Sequence, residues 1–205
     1  MKPRSQSAAP AAAGRKPRAD GERNRRRLLE AAKASFAKSG AATTLEEVAR
    51  VAGVGIGTLY RHFPTREALV EQVYRDALDR LSVDAERLMK DAPPVEALRQ
   101  WLFLFIDYIS TKKLMHDLLA TLSGGGAALH AAAGTGPRLE TAIGSLVKRA
   151  QASGDIKEDV VPFDLLLAIG GLSFAPGAAR AAPGWQARAR QMVDILIAGV
   201  KRSQA

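Results

Sequence analysis

The segment from Thr43 to Arg66, TTLEEVARVAGVGIGTLYRHFPTR, limits what this chain can fold into more than any other. Thr44 is followed three residues later by Glu47, a pairing in which hydroxyl and carboxylate satisfy the free amides at a helix start. Leu45, Val48, Ala49 and Ala52 then recur at helical spacing, and Gly53 supplies the stop. A second apolar set, Ile56, Leu59 and Phe63, follows a short turn, Pro64 ends it, and Thr65 caps a further helix. Two short helices joined by a tight glycine turn outline a helix-turn-helix. The same residues admit a rival: Val48, Val51 and Val54 as a strand leading into Gly53, Gly55 and Gly57, the phosphate cradle of a nucleotide enzyme. That cradle needs a strand before it, a long helix after it and G-x-G-x-x-G spacing. Here a capping box precedes it, the spacing is G-x-G-x-G, and Pro64 cuts the next helix short.

Charge is distributed to match. Residues 1–75 hold 15 Lys/Arg against 7 Asp/Glu, whereas residues 76–205 hold 15 against 14, so nearly all of the net +9 lies in the first third. A basic module attached to a near-neutral one is the footprint of polyanion binding; a basic tail that only aids solubility is the alternative. An apolar fraction of 47% can build a real core and excludes a wholly disordered chain. Cysteine is absent, which removes disulfide staples, thiolate metal sites and cysteine nucleophiles, and neither a cofactor nor a metal site is expected. The AAPAAAG run is unlike a secretory core, and no stretch approaches the roughly 20 apolar residues of a membrane span. The expectation is a cytoplasmic protein without membrane contact.

Residues 1–21 read as a disordered basic tail ending in Arg15, Lys16 and Arg18. From Arg23 a helix of about 17 residues carries Leu28, Leu29, Ala31, Ala32 and Phe36 on one stripe, with Gly40 as its stop. The helix opened by Thr65 runs to Pro93 and Pro94, about 25 residues, long enough to link an N-terminal unit to the next one mechanically. Ala97 to Ser110 is apolar almost all round and predicts a buried helix, which Lys112 to Leu122 extends or follows. The glycines from Gly124 to Gly136 suggest a mobile connection, and Pro137, Pro162 and Pro183 each open one more helix. No segment alternates, so the reading is all-α, with about nine helices: a three-helix helix-turn-helix unit over 22–66, then a helical domain over 67–205.

The run GVGIGTLYRHFPTREAL, preceded by TTLEEVARVA and by an arginine-rich helix ending in KSG, resembles the DNA-binding domain of the TetR family of bacterial regulators. The segments APPVEALRQWLFLFIDY and AQASGDIKEDVVPFDLL are similar to the C-terminal domain of its SbtR-like subgroup. The resemblance implies a homodimeric, ligand-responsive transcriptional repressor and not an enzyme, with a pseudo-palindromic double-stranded operator and a largely apolar small-molecule effector as partners. It implies that the helix from Gly55 to Phe63 enters the major groove. Thr58 and Tyr60 then match groove or phosphate contacts, His62 a phosphate contact, Arg66 a basic phosphate contact, and Thr44 a helix cap that reaches the backbone. Where the family commonly has a serine cap and polar residues, this chain has Gly55, Ile56 and Gly57, so base readout falls to Thr58, Arg61 and a contact of Ile56 with a thymine methyl.

For the second domain the resemblance implies a pocket lined by Trp101, Phe105, Tyr108, Met115, Leu119 and Phe174, with Asp107 and His116 as polar anchors. The alternative for such a stripe is plain core. The last two helices match a four-helix dimer interface, with Phe163, Leu167, Gly170, Gly171, Met192, Ile195, Leu196 and Gly199 facing the partner; completion of a monomeric core is the alternative.

Overall fold

Local chemistry accounts for each N-terminal element. In α1 (Lys16–Ser39), Leu28, Leu29, Ala31, Ala32 and Phe36 fall on one stripe and are buried, while Arg23, Arg26 and Arg27 ahead of them stay at the surface. A 3-10 turn, Gly40–Ala42, follows, entered through Gly40 at φ 53°. Thr43, itself buried, donates its hydroxyl to the Ser35 carbonyl at 2.9 Å and so pins this turn to α1. Helix α2 (Leu45–Ala52) is capped by Thr44, whose Oγ1 accepts the Glu47 amide at 3.1 Å. It ends at Gly53, left-handed at φ 64°, where the Val54 amide reaches back to the Ala49 carbonyl at 3.0 Å. Helix α3 (Ile56–His62) stops where Pro64 cannot continue it, and Thr65 caps α4 (Arg66–Asp91) by accepting the Ala68 amide.

The computed structural model describes residues 16–123, 135–174 and 184–202. The remaining elements are α5 (Pro94–Ser123), α6 (Thr135–Ala152), α7 (Pro162–Phe174) and α8 (Trp185–Val200). All-α architecture is therefore observed, with eight α-helices among the described residues, and the segment beyond Ser110 continues α5 without a break. The first helix starts at Lys16, inside the stretch read as a disordered tail; residues 1–15 lie outside the described residues, as does most of the Gly124–Gly136 connection. Helix α6 starts two residues before Pro137.

Only Ala92 and Pro93 separate α4 from α5, so the two lie antiparallel. Two contacts fix their register: the Trp101 indole N–H donates to the Leu81 carbonyl at 3.0 Å, and the buried Tyr74 and Tyr108 hydroxyls meet at 3.0 Å. Arg149 of α6 donates to the Ala92 carbonyl at the turn. A single isolated antiparallel bridge, Ile156 with Lys201, ties the end of α8 to the loop after α6. One contiguous core runs from Leu28 in α1 to Ile197 in α8. Helix α4 is central to it, burying Leu69, Val70, Val73, Leu81, Ala85 and Leu88 along its length and packing against α1, α5 and α6. Because α5 runs back along α4, it also touches α1 and the 3-10 turn.

Candidate nucleic-acid interface

The residues that hold α3 in place are separate from those it offers to solvent. Leu59 is fully buried and Phe63 nearly so, anchoring α3 against α1 and α2. On the open side stand Gly55, Ile56, Gly57, Tyr60 and Arg61, all exposed, with Thr58 and His62 half-buried at the margins. The structure thus brings seven of the nine residues expected to meet DNA onto one short helix and its cap. Thr44 lies exposed at the start of α2, engaged as a helix cap. Arg61 folds back, its Nε donating to the Gly57 carbonyl at 3.2 Å.

Arg66 also engages the chain itself. Its guanidinium lies over the Phe36 ring, 5.6 Å from the centroid, and donates to the Ala41 carbonyl at 2.8 Å. Its Nε is buried with no hydrogen-bond partner among the described residues. The side chain is half-buried at the junction of α1, the 3-10 turn and α4, with its bond to Ala41 at the surface.

Two arginines of α1 that the spacing of that helix does not single out brace the two ends of α3. Arg27 donates to the Gly53 carbonyl at 3.3 Å, and Arg25 sits 5.9 Å from the Phe63 ring centroid. A Cβ at Gly53 would meet the Arg27 guanidinium at 2.6 Å, a flexible side-chain end that can swing aside, so it is the positive φ that calls for glycine. The signal that points to Arg27 is three-dimensional: the left-handed cap leaves a carbonyl turned outward, and a guanidinium one helix away fills it. Behind this surface Arg80 of α4 pairs with Glu30 of α1 as well as with Asp76. Burial pulls the Arg80 pKa down, but hydrogen bonds and charges from Glu30 and Asp76 outweigh it and hold the guanidinium above its ordinary value.

In the second half the expected pocket and the expected dimer face converge. A groove of about 320 Å³ between α5, α6 and α7 is lined by Phe105 and Tyr108 from the first set and by Phe163, Leu167, Gly170 and Gly171 from the second, with Lys112 and Glu140 also on its walls. Trp101 and Met115 are not on that wall. Trp101 is fully buried, bonded to Leu81 and stacked 5.8 Å from Phe105, and Met115, further along α5, is buried as well. Asp107 is no free anchor, since Arg190 of α8 grips both its oxygens at 3.1 and 3.3 Å. The side chains of His116, Leu119 and Phe174 lie outside the described residues. Leu167 and Ile195 are each 56% exposed and Phe163 is 46% exposed; Gly199 is exposed, and Met192 and Leu196 are half-buried. Among the described residues no cluster of His, Asp and Glu is arranged to hold a metal ion, and no helix is long and apolar enough to cross a membrane.

Comparison with known proteins fits this architecture. Residues 28–73 match the family of bacterial regulatory proteins named tetR, and residues 93–202 match the C-terminal domain of SbtR-like transcriptional regulators. The crystal structure of the TetR transcriptional regulator SCO0520 from Streptomyces coelicolor superposes with a TM-score of 0.76 at 36% identity, over 88% of this chain and 99% of that one. A TetR regulatory protein from Mycobacterium vanbaalenii follows with a TM-score of 0.71 at 31% identity, over 90% and 99%. The transcriptional repressor KstR2 of Mycobacterium tuberculosis is 41% identical over 91 residues, 42% of this chain and 45% of that protein. This chain spans about half the length, or less, of the curated relatives it matches. With over half the chain matched by one family domain and the helix-turn-helix by another, the chain belongs to the TetR family of transcriptional regulators.

Proposed function

We propose that the protein is a homodimeric repressor that binds a pseudo-palindromic operator through α3 and is released by a small, largely apolar effector bound in the second domain. The observation that carries this reading is the open face of α3, held rigidly by Leu59 and Phe63 on the basic third of the chain. Exposed basic side chains neutralise phosphates while groove-facing residues meet base edges. The name of the KstR2 relatives, transcriptional repressors, favours repression over activation. A second copy is supported by Phe163, Leu167 and Ile195, large apolar side chains left in water on α7 and α8. An effector in the groove would press on Phe105 and Tyr108 of α5, which bonds to Tyr74 of α4 and reaches α1 and the 3-10 turn at its far end. A shift of α4 and α5 then changes the separation of the two α3 helices, which is how effector and operator affinities couple.

The test is a titration of labelled duplex covering the DNA beside the gene, against random duplex, at several salt concentrations. A saturable symmetric footprint that weakens with salt and is lost in folded Arg61→Ala and Tyr60→Ala variants is expected. Equal affinity for both duplexes would reduce the protein to a sequence-indifferent DNA coat.

A further inference from the structure

The seven residues of α3, IGTLYRH, contain no Asn, Gln, Asp, Glu or Lys, so of the side chains that make most base-edge hydrogen bonds only Arg61 is present. Ile56 and Tyr60 stand one turn apart on the open side, 38% and 46% exposed, and take no part in the core that Leu59 and Phe63 build. Gly57 lies beside them inside the helix, and a Cβ built there would meet nothing within 4 Å. Its φ is not positive. Neither space nor backbone conformation therefore calls for glycine at this position, although a glycine within a helix costs about 1 kcal/mol relative to alanine. Gly55, at an ordinary φ of −67°, has the same open surroundings. Gly55, as the N-cap, costs the helix little, whereas Gly57 weakens its own helix without a packing reason and so answers to something outside the chain.

We propose that α3 seats its backbone against the floor of the major groove at Gly57, and that Ile56 reads the 5-methyl group of a thymine in each half-site. Recognition is then carried by close fit and methyl contact more than by hydrogen bonds. This rests on the operator-binding reading above. The surroundings select DNA as the occupant: Arg50 and Arg61 are exposed on either side of the turn, within the basic third of the chain, and complement phosphates that flank the groove. The thymine methyl is the apolar feature that a base pair displays there.

The full-length protein is used to enrich duplexes from a randomised pool, and the enriched duplex is resynthesised with deoxyuridine at each thymidine in turn, which deletes only the methyl group. A roughly fourfold loss of affinity is expected at one or two positions per half-site. Ile56→Ala should be insensitive to the same replacements and should bind the unmodified duplex more weakly by a similar factor. Gly57→Ala should melt at the parent temperature or above it, yet bind roughly tenfold more weakly. Tolerance of every deoxyuridine by the parent, or unchanged methyl dependence in Ile56→Ala, overturns the role of Ile56. Full affinity in Gly57→Ala overturns the close approach. Failure to enrich any duplex overturns operator binding itself, a result distinct from the other two.

Discussion

At Arg66 the guanidinium that a phosphate contact would require is already committed to the Phe36 ring and the Ala41 carbonyl. Removing it leaves a carbonyl unpaired and a ring uncovered, so Arg66→Ala is expected to lose about 1 to 3 kcal/mol of stability in urea unfolding. Arg66→Lys should not restore it, because one ammonium cannot both stack on the ring and reach the carbonyl. A variant as stable as the parent but unable to bind DNA would return Arg66 to the interface. The Tyr74–Tyr108 pair makes a similar demand between α4 and α5. Tyr108→Phe strands a buried hydroxyl and should cost about 1 to 2 kcal/mol. The double Tyr74→Phe, Tyr108→Phe variant should cost less than the two single changes summed, which a double-mutant cycle measures.

Helix α8 is held on α5 by two crossed ion pairs, Arg99 with Asp194 at 2.6 Å and Arg190 with Asp107, and both guanidinium groups lie over Phe103, at 4.6 and 5.7 Å. The hydrogen bond and charge of Asp194 raise the Arg99 pKa against the opposing effect of burial. These groups are well exposed, so each pair contributes at most about 1 kcal/mol, weakened by salt. Arg190→Glu should lower the melting temperature by a few degrees at low salt, and adding Asp107→Arg should recover most of it. Here the limits of sequence reading become physical. Capping at Thr44 and Thr65, the stop at Gly53 and the inward set Leu59 and Phe63 are local rules, and they were legible. Asp107 was not, because its partner stands 83 positions away on a helix whose packing angle no spacing reveals. The same holds for Trp101, whose indole is satisfied by a carbonyl of α4, and for Arg27, whose acceptor exists only once Gly53 turns left-handed. The unbroken α5 was ambiguous for a different reason: Ser110 and Thr111 are weak helix formers, yet their hydroxyls bond back to Ile106 and Asp107 within the helix.

Across the whole molecule, one core joins the reading head to the second domain, and the only large apolar side chains left in water beyond α4 are on the approach to α7, on α7 itself and on α8, namely Val161, Phe163, Leu167 and Ile195, among the described residues. A two-fold axis through such a face places each side chain against the partner twice, so one charge introduced there acts at two places. Leu167→Glu and Ile195→Glu both sit on exposed positions, where a carboxylate in the monomer stays hydrated and the fold should survive. Their helical spectra should match the parent, while light scattering reports monomer in place of dimer. Operator binding should fall on the order of a hundredfold, because two linked half-site contacts become two independent ones. The dependence of affinity on salt should flatten to about half its slope, since each binding event then neutralises half as many phosphates. A dimer mass retained by both variants would move the interface off α7 and α8, and a monomer that kept full operator affinity and slope would remove two-fold recognition altogether.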